Sequence, residues 1–284
     1  MRQIRIAAQL HPQHGDYPGL RRAVVDAEAM GYDIAYTWDH FYPLYGDRDG
    51  AHLECWSILA AWAEATSTIE IGPLVSCTSY RNANLLADIA RTVDRISGGR
   101  TILGLGAGWQ ERDYREYGYE FGTRGSRIDQ LGRSIDVIRA RLAVLDPPPV
   151  RPMPLLIGGI GRRRTRRLVA ERADSWHAMF PDRPADVQSA VDALLGWCDT
   201  LGRDPASIEW GVGVEPDDIQ RFVDEDAETY IAMGFTQFTL GFDGPSWGVA
   251  AGERFLQWRD ERNRSVEVAA GVAEPSVTRS VEVR

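Results

Sequence analysis

The sequence predicts an α/β protein folded as one closed (β/α)8 barrel, the TIM-barrel architecture. Three observations lead there. Apolar segments of strand length alternate eight times with segments of helical period, which calls for a parallel sheet. A length of 284 residues suits eight such units in a single barrel. The stretch Ile69–Trp109 shows the repeating unit most clearly: strand, polar loop, helix, tight turn, second strand, glycine-rich loop. A doubly wound open sheet is the alternative. It would normally carry a dinucleotide fingerprint after its first strand, where Leu10-His11-Pro12-Gln13 stands instead.

Taken in order, Ile4–Gln9 reads as the first strand and Leu20–Met30 as a helix stopped by Gly31. Ile34–Trp38 is the second strand. A loop over 39–53, with Asp39, His40 and the tyrosines Tyr42 and Tyr45, leads to the helix Cys55–Ala65. Ile69–Val75 is apolar and β-rich, the third strand. Asn84–Ser97 places Leu85, Ile89, Val93 and Ile96 at helical spacing before Ser-Gly-Gly ends the helix. Thr101–Leu105, almost wholly apolar, suits a strand buried on both faces. A long loop, Gly106–Gly125, leads to the helix Ser126–Leu145, and a proline-stiffened connection to the fifth strand, Pro154–Gly158. The helix Arg162–Arg172, strand Ser175–Ala178, helix Pro184–Leu201 and strand Ile208–Val214 follow. A helix around Asp218–Met233, the strand Thr236–Gly241 and the helix Trp247–Arg264 complete the barrel domain, residues 1–264. Residues 265–284, low in aromatics and without clear periodicity, read as a C-terminal tail open to disorder.

Composition narrows the function. The formal net charge of −9 disfavours general nucleic-acid binding. No apolar run approaches the roughly 20 residues needed to cross a bilayer. The opening MRQIRIAAQL lacks a signal-peptide pattern, so a cytoplasmic protein is expected. Cys55, Cys77 and Cys198 show neither metal spacing nor a disulfide framework, which fits a reducing compartment. Every one of the 32 basic residues is Arg. Without lysine there is no Schiff-base chemistry, no lysine-held pyridoxal phosphate and no phosphate-loop lysine. The five histidines include no HxxxH pair, no HExxH or EF-hand pattern occurs, and no GxSxG elbow marks a serine hydrolase; no metal site is expected.

Parallel strands joined by right-handed crossovers send the loops that follow them to one face, which is where a barrel keeps its chemistry. Asp39-His40 ends the second strand and puts an imidazole at the mouth, able to exchange a proton near neutral pH; a loop histidine bonded to its neighbours is the plain alternative. The donor-rich run Ser76–Asn82 could hold a polar ring or a phosphate, or simply cap the next helix. Cys77 carries no sequence mark of a nucleophile. Gly106, Ala107 and Gly108 would let a flat ring approach the backbone, or relieve crowding at the rim. Gly158, Gly159 and Gly161, opening a helix that begins Arg162-Arg163-Arg164, present backbone N–H groups and guanidinium groups to an anion; a solvated arginine face is the alternative.

Three segments also carry a family resemblance: TWDHF at 37–41, SCTSYRNANLLADIARTVDRISGGRTILGLGAGWQERDYREYG at 76–118 and PLLIGGIG at 154–161. They resemble the luciferase-like monooxygenase superfamily, and within it the branch of oxidoreductases that use the deazaflavin coenzyme F420. The likeness covers roughly residues 4–262 in the same order. It implies a (β/α)8 barrel, commonly a homodimer, with coenzyme F420 across the mouth. Asp39 and His40 would lie beside its ring as catalytic residues, and Leu74-Val75 would form a ring-supporting bulge, often with a cis peptide. Gly106, Ala107 and Gly108 would approach ring or tail, and Gly158 and Gly159 the phosphate. Where sugar-phosphate dehydrogenases of this branch place a catalytic glutamate, this chain has Trp109, and Glu111 is out of register, which argues against glucose 6-phosphate as substrate. The expected activity is hydride transfer between the deazaflavin and a small organic substrate. The alternatives are a flavin mononucleotide (FMN) monooxygenase of the same superfamily and a non-catalytic deazaflavin-binding protein.

Overall fold

The computed structural model describes residues 2–161 and 163–269. Nine parallel strands form the wall: β1 Arg5–Leu10, β2 Ile34–Thr37, β3 Glu70–Pro73, β4 Ser76–Cys77, β5 Leu103–Gly106, β6 Leu155–Gly158, β7 Ser175–His177, β8 Glu209–Val214 and β9 Phe235–Phe242. They run in the order β3-β2-β1-β9-β8-β7-β6-β5-β4. The extra strand arises because the predicted third strand is broken in two. Its lower half, β3, pairs with β2, and its upper half, β4, pairs with β5. A parallel bridge between Ile71 and Thr101 closes the ring below the break. The result is the predicted barrel in one domain.

Strand alternation sorts the core into two layers. In β1, Ile6, Ala8 and Leu10 join the large apolar layer shared with the helices. Ala7 faces the other way and joins Ile34, Tyr36, Leu74, Ile102 and Leu156, with Val75 packed against them. At the lower end, Arg5 pairs with Glu70 and Glu209, and Arg151 also reaches Glu70.

Each helix starts and stops where its end residues allow. Helix α1, Tyr17–Met30, is capped by Asp16, whose side chain accepts from Gly19 N–H; it ends at Gly31, whose φ of 88° suits glycine. Helices α2 (Cys55–Ala65) and α3 (Ala83–Ser97) are capped by Glu54 and Asn82. The loop between α2 and β3 is held from two sides. Arg100 donates to the carbonyls of Ala63, Thr66 and Ile69, while Glu28 accepts from the amides of Ser67, Thr68 and Ile69. Helix α4, Glu111–Tyr117, lies inside the stretch predicted to be a long loop. Helix α5, Arg124–Leu142, opens on a Thr123–Ser126 capping box. Helices α6 (Arg163–Arg172) and α7 (Pro184–Leu201) follow as predicted. The next predicted helix is a composite: α8 (Ile219–Arg221), a π-helical turn at Phe222–Asp226, then α9 (Ala227–Met233). The closing helix α10 spans Glu253–Ala269, so residues 265–269 belong to it and not to a tail; 270–284 lie outside the described residues. No helix among the described residues is long and apolar enough to cross a membrane.

Candidate functional site

The upper ends of the strands surround a cavity of about 690 Å³. Its floor is the break between β3 and β4, where the Leu74–Val75 peptide is cis. Leu74 donates its N–H to Thr37 O (2.7 Å), and its carbonyl accepts from the Gln9 side chain (3.0 Å). The Val75 side chain then projects over two neighbouring strands. A Cβ built on Gly106 would stand 2.5 Å from Val75 Cγ2, and one on Gly158 would stand 2.7 Å from Val75 Cγ1. These glycines, expected to admit a ring or a phosphate, first make room for Val75. Gly108 (φ 75°) is needed for a different reason, since a side chain there would run into Tyr114 and Cys77.

His40 lines this cavity, and its Nδ1 lies 2.7 Å from Asp113 Oδ2. Asp113 is fully buried and accepts two further hydrogen bonds, from Tyr80 O–H (3.1 Å) and from Phe41 N–H (3.3 Å). A carboxylate only accepts, so Asp113 fixes the His40 proton on Nδ1, and in the neutral ring Nε2 presents its lone pair. Trp109 packs edge-on to the imidazole, ring centroids 5.6 Å apart, and lines the same wall.

Asp39 is not the partner of His40. Its carboxylate forms a fork with Arg81 (2.6 and 2.9 Å) and accepts from Ser76 O–H (2.7 Å) and Cys77 N–H (3.2 Å). Buried and fully engaged, it ties the end of β2 to β4 and so fixes the bulge, which leaves no free oxygen to orient the adjacent histidine. Asp113 does that from helix α4. Tyr114, on the same helix, is buried against Cys77 Sγ (3.2 Å). Burial pushes the Cys77 thiol up to about 11, so it is not an activated nucleophile.

The cationic end of the cavity differs from the prediction. Gly158, Gly159 and Gly161 line it as expected, together with Arg124 and Arg127 from α5. Arg127 donates to Gly108 O (3.1 Å) and Phe121 O (2.9 Å) and stacks on the Phe121 ring. Arg163 and Arg164 do not line the cavity, and Arg164 pairs instead with Asp129 (3.3 Å); Arg162 lies outside the described residues. Beneath the loop, the fully buried Arg166 donates to the carbonyls of Gly159 and Gly161 and stacks on Trp176. Burial without a carboxylate partner lowers its guanidinium to about 9. The opposite wall carries His11, Tyr45, Glu215 and Asp243. No motif marks them; His11 and Asp243 share only their position just after β1 and β9, two strands that pair directly.

Comparison with known proteins agrees with this architecture. A ketoreductase of Mycobacterium tuberculosis that acts on phthiodiolone and phenolphthiodiolone dimycocerosates is 26% identical over 267 residues, covering 80% of this chain and 68% of that protein. Among solved structures, an F420-dependent secondary alcohol dehydrogenase bound to an F420–acetone adduct superposes with a TM-score of 0.78 at 16% identity, covering 91% of this chain and 99% of the other. A riboflavin lyase holding modified FMN superposes with a TM-score of 0.73 at 12% identity, covering 96% and 93%. The family model of luciferase-like monooxygenases matches residues 1–265, so the chain belongs to that family of oxidoreductases.

Proposed function

We propose that the protein is a coenzyme F420-dependent oxidoreductase that interconverts a ketone and a secondary alcohol. The observation that carries this reading is the His40–Asp113 pair, in which His40 Nε2 has no hydrogen-bond partner among the described residues at the wall of a cavity floored by Val75. The residues present suit the coenzyme. Its acidic tail would lie toward Arg124, Arg127 and the loop at Gly158–Gly161, and its ring would rest on Leu74 and Val75 beside Gly106, Ala107 and Gly108. When bound, it supplies a deazaflavin carbon that gives up or accepts hydride.

The chain's own residues handle the rest. His40 Nε2 takes the proton from an alcohol oxygen during oxidation and returns it during reduction. Asp113 holds the ring in the required tautomer and stabilises the imidazolium that forms, the role a buried carboxylate plays behind a catalytic histidine elsewhere. Leu74, Val75, Met179 and Phe180 give the cavity an apolar lining that excludes water. The similarity to a ketoreductase and to an alcohol dehydrogenase supports the substrate class.

Coenzyme titrations test the reading. F420 should bind more tightly than FMN, because its tail carries more negative charge for the same guanidinium groups. Its affinity should fall as salt rises. Arg124→Ala and Arg127→Ala should each weaken it about tenfold, the effect of losing one charge-assisted hydrogen bond. FMN binding as tight or tighter would redirect the assignment to a flavin monooxygenase.

A further inference from the structure

Two histidines, each paired with an aspartate, line the cavity, and Trp38 stands between them. Its ring lies 6.0 Å from His40 and stacks on His11 at 4.1 Å and 15°. His11 Nδ1 is 2.9 Å from Asp243 Oδ1, and the Tyr45 hydroxyl reaches the same carboxylate oxygen. Burial and the neighbouring carboxylate raise the Tyr45 phenol, so it remains a donor. Burial works against Asp243, but the hydrogen bonds from His11 and Tyr45 hold its carboxyl below the usual range, so it remains an acceptor.

The hydrogen-bond inventory of this wall is therefore one-sided. His11 Nδ1 lies 2.7 Å from the Tyr45 oxygen and 2.9 Å from Asp243 Oδ1; with Asp243 an acceptor, Tyr45 donates to it and the proton on His11 Nδ1 is shared between the two oxygens. His11 is only 8% exposed, yet among the described residues nothing bonds its Nε2, which is left with a lone pair facing no protein donor. Asp243 Oδ2 and the Glu215 carboxylate likewise receive no donor among the described residues. The wall offers acceptors and an ionised Asp243, with burial and the neighbouring Asp243 raising the Glu215 carboxyl, opposite the end where Arg124 and Arg127 gather.

We propose that this wall is the substrate's second recognition point. The substrate carries, away from its reacting carbon, a hydrogen-bond donor (a hydroxyl or an ammonium group) that docks on His11, Asp243 and Glu215, and anionic substrates are excluded. The proposal rests on the cavity being the coenzyme and substrate site. Trp38, Leu44 and Phe180 supply apolar faces for the body of such a molecule. A substrate carboxylate or phosphate placed there would meet two carboxylates with no donor to offset them.

Four matched ketones test it: cyclohexanone, 4-hydroxy-4-methylcyclohexanone (a tertiary alcohol that oxidised F420 cannot dehydrogenate), 4-aminocyclohexanone and 4-oxocyclohexanecarboxylate. Each is titrated by calorimetry into protein saturated with oxidised F420, which binds without turnover, and into the coenzyme-free chain. The hydroxyl or the ammonium ketone should bind about tenfold or more tightly than cyclohexanone, and the carboxylate ketone more weakly than cyclohexanone. Preference for ammonium over hydroxyl identifies a cationic substrate, and the reverse a neutral polyol-like one. Asp243→Asn and Glu215→Gln should each shrink the gap between the favoured ketone and the carboxylate ketone. Binding of the carboxylate ketone as tight as the best of the others would overturn the proposal, as would ratios unchanged in both variants. Coenzyme loading is read separately from the absorbance of bound deazaflavin. Failure to load overturns the functional assignment, while the ranking of ketones on the coenzyme-free chain still decides this inference.

Discussion

Replacing His40 with alanine is expected to lower turnover by about 10²–10⁴-fold, the range a general acid or base contributes, while coenzyme affinity stays close to that of the unaltered protein. His11, the other imidazole of the cavity wall, lies on the far side of Trp38. Asp39 is committed to Arg81 and the bulge, and Tyr114 is buried against Cys77. Asp113→Asn should produce a loss of similar kind from behind the histidine. An asparagine can donate to Nδ1, which would move the imidazole proton to Nε2 and leave it unable to take one from an alcohol. Stopped-flow oxidation of reduced coenzyme by the best-bound cyclohexanone gives the rate, and titration of oxidised coenzyme gives the affinity. Normal turnover in His40→Ala would mean that the proton comes from another group. A collapse of coenzyme binding would make His40 a positioning residue.

The second large effect is expected at Gly106. Its added Cβ would stand 2.5 Å from Val75 Cγ2, while the other methyl of Val75 already occupies the space that Gly158 leaves. Gly106→Ala should therefore destabilise the fold by about 1–3 kcal/mol, the usual cost of overpacking a closed interior, and weaken coenzyme binding by displacing the floor. Val75→Ala alone should cost less, because it opens space rather than forcing atoms together. The double variant should recover much of what Gly106→Ala loses, giving a coupling of about 0.5–3 kcal/mol. Chemical denaturation of the four proteins measures that coupling. Additive losses would show that Gly106 acts through something other than Val75.

The barrel itself was legible because burial imposes periods of two and 3.6 on the sequence, and eight strand-helix units leave little choice of topology. What periodicity could not see was local. Ile69–Val75 reads as one strand because it is apolar apart from Glu70 and rich in β-formers, yet the chain turns aside at Leu74–Val75 and resumes as β4. Helix α4 was missed because ERDYREY is short and polar, with Asp113 and Tyr114 its buried positions. That omission hid the partner of His40, which lies 73 residues away in sequence and can be found only once α4 is placed over the mouth. Asp39, next to His40 in sequence, turns to Arg81, because neighbours at a strand end point in different directions. A run of three arginines drew attention to the start of α6, whereas a cavity is lined by whatever the fold brings near; Arg124 and Arg127 arrive from α5. The residues of the acceptor wall come from opposite ends of the chain and form no motif.

The loop entering β3, held at its carbonyls by Arg100 and at its amides by Glu28, has a consequence for acid tolerance. Its cation and anion meet on opposite sides of one peptide group, Thr66–Ser67, and are coupled through that peptide dipole. Burial opposes ionisation of Glu28, but the hydrogen bonds from Thr68, Ile69 and Ser67 hold its carboxyl below the ordinary glutamate value. The stability this contributes is complete above the unfolded-state value, about 4.3, and is lost as pH falls through the lower folded-state value. Arg100 does not titrate in that window. Acid should thus release one side of the loop and leave the other fastened, so that the seam bridged by Ile71 and Thr101 loosens from the Glu28 side. Amide exchange followed below pH 4.3 should show Ser67, Thr68 and Ile69 losing protection before the amides of Ile71 and Ile102. Glu28→Gln should bring the same order of opening to neutral pH.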